Sequence, residues 1–352
     1  MNTSEILRTL SDSFGVAGFE TEVQEKIKEL IEPYVDDIKV DRLGNLIARR
    51  RGKGKMRLLL DAHMDEVGFI VKYIEESGYL RFAPLGGWDN RIIPAQRVTI
   101  LLRSGEKICG VIGTAPPHIL DDKERTKVIP IDEMFIDVGA TSRKEIRDIG
   151  IHIGDPLVIH YPFTELTTGY VTGKAFDDRA GCAVLIEVAR NIAKVSLDID
   201  LVFAFVIGEE VGLRGARTAA YQIDPDIALA IEGTIGADMP GIPEARQPVR
   251  LGKGPAITVA DRSIIVNPRM VKALERVAEE AMIPYQYKLP TYGGTDAGAI
   301  HLTKAGVISG VVSVPCRYIH SPISILRLND LEHTIHFVTE FVGKCHRLLN
   351  PV

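Results

Sequence analysis

The chain has 352 residues, 45% hydrophobic and 25% charged, enough for two domains or one large domain carrying an insertion. A net charge of −5 and the absence of a long Lys/Arg tract argue against nucleic acid as the main partner, and no apolar run approaches the roughly 18 residues of a membrane span. The start, Met1 to Glu5, has no signal-peptide pattern, and Cys109, Cys182, Cys316 and Cys345 form no CxxC, so a cytoplasmic protein without disulfides or a thiolate metal site is expected.

In chain order, residues 4–13 and 20–32 read as amphipathic helices separated by Gly15 and Gly18, the second stopped by Pro33. Residues 37–41 and 45–50 read as a hairpin around Gly44-Asn45, and 56–62 as a buried strand ending at His63. From about 71 to 162 the pattern changes to short alternating strands and turn signals such as Ser77-Gly78 and Ser104-Gly105. A small all-β domain inserted into an α/β domain is predicted there. Alternation then resumes: helix 178–194, strand 199–207, helix 213–222, strand 227–232, helix 268–282, strand 285–289, helix 295–304, strand 307–314 and helix 329–347. The expected fold is therefore α/β, a mixed, mostly parallel sheet flanked by helices, with an inserted barrel-like β domain. Residues 1–70 and 163–352 would form the discontinuous main domain and 71–162 the insert.

The acidic pair Glu209-Glu210 follows the continuous apolar run from Leu201 to Ile207, which reads as a strand buried on both faces. Two carboxylates at such a strand end are costly unless a cation meets them. Other acids and imidazoles stand at predicted strand or helix ends: His63, Asp65, Asp177, Asp178, Glu232 and His320. Open α/β sheets bring functional residues together at the carboxyl ends of their strands. Two imidazoles with several carboxylates suit Zn²⁺, Co²⁺ or Mn²⁺. Taken singly, each has an ordinary structural reading: Asp177-Asp178 as a helix cap, Glu232 as a loop acid. Their joint occurrence points to a metal-dependent hydrolase. His118, His301, His333, His336 and Trp88 read as structural, and one Trp with 6% aromatic residues offers no platform for stacking sugars.

Five segments occur in order: Ala62-His63-Met64-Asp65-Glu66-Val67-Gly68, Ala175-Phe176-Asp177-Asp178-Arg179, Gly208-Glu209-Glu210, Tyr292-Gly293-Gly294-Thr295-Asp296 and His320-Ser321-Pro322. Together they resemble the dinuclear metallo-aminopeptidases of the tetrahedral (TET) and glutamyl aminopeptidase family, along essentially the whole chain. The resemblance implies a zinc-peptidase type of main domain and two divalent ions, zinc or cobalt, per subunit. Asp177 would bridge them, His63 and Glu232 would complete one site, and Glu210 and His320 the other. Glu209 would be the general base for the metal-activated water, and Asp65 would support His63. The longer arm of Glu232 stands where some relatives carry Asp. The resemblance also implies short peptides as substrates, dimerisation through the β insert, and a hollow dodecamer of tetrahedral shape. A pocket around Ile235, Tyr292, Gly293 and Gly294 would hold the substrate, with no charge in those segments to select a charged side chain. A deacylase or carboxypeptidase of the same clan, or a non-catalytic scaffold, are the alternatives. Free against N-acetylated peptides separates the first two, and metal binding the third.

Overall fold

The computed structural model describes residues 1–290 and 292–349. Helix α1 (Thr3–Asp12) opens on a reciprocal cap: Asn2 accepts from the Glu5 N–H at 2.9 Å, and the Glu5 carboxylate accepts from the Asn2 N–H at 2.8 Å. Helix α2 (Thr21–Ile31) buries a stripe of three residues spaced four apart, Val23, Ile27 and Ile31, and gives way to a 3₁₀ turn containing Pro33. Strands β1 (Asp37–Val40) and β2 (Leu46–Arg50) form the hairpin, whose turn is held by Asp41 accepting from the N–H groups of Leu43, Gly44 and Asn45. Strand β3 (Arg57–His63) is buried from Leu58 onward.

The chain then leaves the sheet. Strands β4 (Gly68–Ile74), β5 (Leu80–Leu85), β6 (Arg97–Leu101), β7 (Lys107–Gly113), β8 (Phe135–Asp137) and β9 (Pro156–Ile159) close an antiparallel barrel in the order β4-β5-β8-β7-β6-β9. Its interior is a separate core that includes Phe69, Phe82, Ile100, Ile136 and Leu157. Helix α3 (Arg143–Ile149), a short element between β8 and β9, adds Ile146 to that core.

Strands β10 (Thr164–Glu165) and β11 (Tyr170–Gly173) return to the main sheet, followed by α4 (Phe176–Ile192), β12 (Asp200–Val206), α5 (Arg214–Ile223) and β13 (Ile227–Gly236). The rest comprises β14 (Ala256–Thr258), α6 (Pro268–Glu280), β15 (Gln286–Lys288), α7 (Ala297–Ile300), β16 (Ile308–Arg317), β17 (Ser324–Arg327) and α8 (Leu328–Leu348). The sheet runs β1-β2-β12-β3-β13-β16-β17-β11-β10, with β14 bridging β16 and β15. Its middle strands β12, β3, β13 and β16 are mutually parallel. Alternate residues of β12 serve two cores: Leu201, Phe203 and Phe205 pack in the α4 and α8 layer, Val202, Ala204 and Val206 in the layer containing α5 and Ile300 of α7. Burial on both faces is why the strand reads as an unbroken apolar run.

Several elements differ from the sequence expectation. Helix 295–304 shrinks to Ala297–Ile300, because the Gly306 N–H turns back to the Thr303 carbonyl and the Val307 N–H to that of His301. Strand β13 runs on to Gly236, so Glu232 lies inside a strand and not after one. The short strands β10, β11, β14 and β17 are additions. The extra length of β13 shapes the sheet's carboxyl edge. It pairs with β3 only from Ile227 to Ala230, but with β16 all the way to Gly236. The separation of β3 from β13 opens a notch at the carboxyl ends of the parallel strands.

Candidate metal centre

His63 ends β3, almost fully buried. Its Nδ1 donates to the Asp65 backbone carbonyl at 3.1 Å, with the Asp65 carboxylate 3.5 Å away, which leaves Nε2 to face the notch. That Nε2 lies 3.4 Å from Asp177 Oδ1 and 3.7 Å from Glu232 Oε2. On the other side, His320 Nε2 lies 3.7 Å from Asp177 Oδ2 and 3.5 Å from Glu210 Oε1. Its Nδ1 is bound at 3.1 Å to the Gly87 carbonyl, on a loop at the base of the barrel. Trp88 fixes that loop by stacking on Phe69 and donating its indole N–H to Gly68 O. The two oxygens of Asp177 thus point at two different imidazoles, each held in one tautomer by a carbonyl behind it.

Asp177 and Asp178 sit where α4 begins, with non-helical backbone angles; their peptide bond is cis. They differ in use. Asp178 is fully buried, and its Oδ1 accepts the Gly181 N–H at 2.9 Å. One oxygen of Asp178 comes within 4.8 Å of donor atoms of His63 and Glu232, making it part of the cluster from beneath. Asp65 is also fully buried and accepts the N–H groups of both Glu209 and Glu210, at 3.0 and 3.1 Å. One carboxylate therefore positions an imidazole and the acidic loop together. Glu232 Oε1 accepts the Asp296 N–H at 3.2 Å.

The electrostatics are those of too many acids in one place. Burial, helped by neighbouring acids, pushes Glu209 and Glu232 well above the ordinary carboxyl range and Glu210 to about 7. Burial also opposes ionisation of Asp177, but the hydrogen bond and charge of His63 outweigh it and hold that carboxyl low. His63 and His320 move up: burial disfavours their cations, and the surrounding carboxylates more than compensate. Three groups of ligand atoms lie within 4.8 Å of one another: His63 with Asp178 and Glu232, His63 with Glu209 and Glu210, and Asp177 with Glu210 and His320. Hard oxygen donors, two imidazoles and mutual repulsion among the acids fit divalent cations.

A cavity of about 470 Å³ opens over these groups, lined also by Ile235, Gly293 and Gly294. Tyr292 is partly exposed and outside that lining. Sequence reasoning missed Lys288, which lines the same cavity from β15 although it is far in sequence from every metal motif. It also gave no role to Asp61 and Asp296, two fully buried carboxyls that face each other under His63 and Glu232. Burial raises Asp61 to about 7 and Asp296 well above the ordinary carboxyl value.

The M42 glutamyl aminopeptidase family model matches residues 44–337. A TET aminopeptidase from the marine sediment archaeon Thaumarchaeota archaeon SCGC AB-539-E09 superposes with a TM-score of 0.94 at 41% identity, covering 97% of this chain and 96% of that one. The Pyrococcus horikoshii TET1 peptidase, described as able to assemble into a tetrahedron or a large octahedral shell, gives a TM-score of 0.88 at 34% identity over 97% and 100% of the two chains. The lysyl aminopeptidase of Pyrococcus furiosus is 34% identical over 94% of each chain. The glutamyl aminopeptidase of Lactococcus lactis is 33% identical over 94% of this chain and 93% of its own.

Proposed function

The chain belongs to the M42 glutamyl aminopeptidase family, and from that premise we propose that it removes N-terminal residues from short peptides at a centre of two divalent metal ions. The observation that carries the reading is Asp177, with one oxygen facing His63 and the other facing His320. Asp177 would bridge the ions. His63 and Glu232 would complete one site, Glu210 and His320 the other. Asp178, already accepting the Gly181 N–H, would support the cluster from below. When bound, the ions, zinc or cobalt, would bring the pKa of a shared water toward neutrality and polarise the scissile carbonyl.

Glu209 is left without a ligand role. It lines the cavity, and burial and acidic neighbours raise its hold on a proton above that of an ordinary carboxylate, which suits a group that takes a proton and gives it up again. Glu209 would accept the proton of the attacking water on its carboxylate and return it to the leaving amine nitrogen. The acids lining the cavity attract the cationic α-amine of a free peptide N-terminus, which an N-acyl group would remove. The barrel, taken as residues 71–162 with its first strand beginning at Gly68, would serve as the dimerisation unit of a dodecamer.

The test is release of the N-terminal residue from metal-loaded enzyme with free and N-acetylated peptides. Turnover of the free peptide alone supports the reading. Equal turnover of both, or of the blocked form alone, points to a deacylase instead.

A further inference from the structure

Lys288 is 4% exposed, yet its ammonium reaches the cavity that carries Asp177, Glu209, Glu210 and Glu232. Among the described residues, none of those acids, nor any other, comes within 4.0 Å of it, and it donates no side-chain hydrogen bond. Its Nζ would lie 3.8 Å from a Cβ placed on Gly293, so the charged tip rests against the Gly293-Gly294 loop and not on the metal ligands. Its charge acts on Asp177 only as the weakest of the named influences on that carboxyl.

A cation on a side chain this deeply buried is costly without a counter-charge. The stem is covered by protein and the head is left to the cavity, the arrangement of a residue waiting for an anion from outside. Ile235 and Met239 supply apolar surface in the same cavity for the carbon chain that would carry that anion. We propose that Lys288 is the specificity-determining residue of the cavity and that it selects peptides whose N-terminal side chain ends in a carboxylate, glutamyl or aspartyl. This rests on the aminopeptidase reading, and it replaces the neutral preference that the local segments alone suggest. The names of relatives leave the matter open, since they include both a lysyl and a glutamyl aminopeptidase.

The experiment compares kcat/KM for glutamyl-, leucyl- and lysyl-p-nitroanilide on metal-loaded wild type, Lys288→Met and Lys288→Glu. A p-nitroanilide has no C-terminal carboxylate, so only the side chain is read. The ratio of two substrates on one sample does not depend on the fraction folded or loaded. The glutamyl-to-leucyl ratio should exceed one in wild type and fall on the order of ten- to a hundredfold in Lys288→Met, the scale of one charge-assisted hydrogen bond. Lys288→Glu should shift preference to the lysyl substrate. An unchanged ratio, or equal losses on all substrates, would overturn the assignment. So would a Lys288 effect confined to substrates with a free C-terminal carboxylate, seen with Leu-Leu against Leu-Leu-amide. If no free-amine substrate turns over, the aminopeptidase reading fails by itself. Calorimetry of L-glutamate against L-leucine, in wild type and Lys288→Met, then still decides whether this lysine binds a side-chain carboxylate.

Discussion

Asp65 is not a proposed ligand, yet it touches three residues of the centre. It accepts two backbone N–H groups from the Glu209-Glu210 loop and stands beside the His63 ring. Asn at this position would keep the size but offer one acceptor oxygen and turn an NH₂ group toward the second N–H. Asp65→Asn should fold normally by circular dichroism and bind zinc about 10–100-fold more weakly in a metal titration; affinity within twofold of wild type would remove Asp65 from the centre. Glu209→Gln makes the opposite prediction. It should retain two metal ions per chain by elemental analysis and lose activity by about 10²–10⁴-fold, the usual worth of a proton-transfer group. Near-normal turnover would sink the base assignment. At this scale His63, Asp177, Glu210 and His320 could be read from the sequence because each lies in a short motif at or just beyond a strand or helix end, whereas Glu232 lies inside β13. Lys288 could not. Only the pairing of Thr258 in β14 with Lys288 in β15, at the sheet's side branch, carries it to the cavity. Asp61 and Asp296 were hidden for a related reason, since two acids 235 positions apart in sequence become neighbours only in the fold.

At the scale of elements, what was legible was what is long and periodic. The helices α1, α2, α4, α6 and α8 and the strands β3 and β12 follow from their apolar stripes or runs. Strands β10, β11, β14 and β17 have two to four residues each, too few for a period, and they exist because a neighbour offers an open edge. The amino end of the parallel strands is fastened by charge. Asp200, at the start of β12, accepts from Arg49 of β2 at 2.7 and 2.8 Å and from Arg57 of β3 at 2.9 Å. Partial burial alone would raise this carboxyl, but its hydrogen bonds and ion pairs with the two guanidinium groups hold it below the ordinary value. A depressed folded-state pKa stabilises the fold above the unfolded value, near 4, and that contribution fades as pH falls through the folded value below it. Asp200→Asn should therefore cost about 1–3 kcal/mol in urea unfolding at pH 7. The cost should shrink steadily below about pH 4. A penalty that stays constant down to pH 3 would mean that the charge of Asp200 contributes nothing.

For the whole molecule, the barrel is joined to the catalytic sheet at the site itself: β4 begins five residues after His63, and the Gly87 carbonyl on the barrel side holds His320. Whatever orients the barrel also orients a proposed metal ligand, which gives assembly a route to the chemistry. Between β7 and β8 the barrel exposes Ile119 and Val128, 75% and 55% accessible, on a segment that also carries Asp121, Asp122, Lys123, Glu124 and Arg125. Large apolar side chains so exposed in one segment are typical of contact surfaces, and ringing them with charges of both signs suits a contact between identical copies. If the barrel dimerises the chain, light scattering should find particles of twice or twelve times 38.7 kDa for wild type. Ile119→Asp with Val128→Asp should then shift the mass toward the single chain, because two carboxylates would be buried unpaired against a partner. Both side chains are exposed in the single chain, so the monomer should keep its circular dichroism and melt as one folded species. A double variant that still elutes at the wild-type mass would place the dimer contact on another surface.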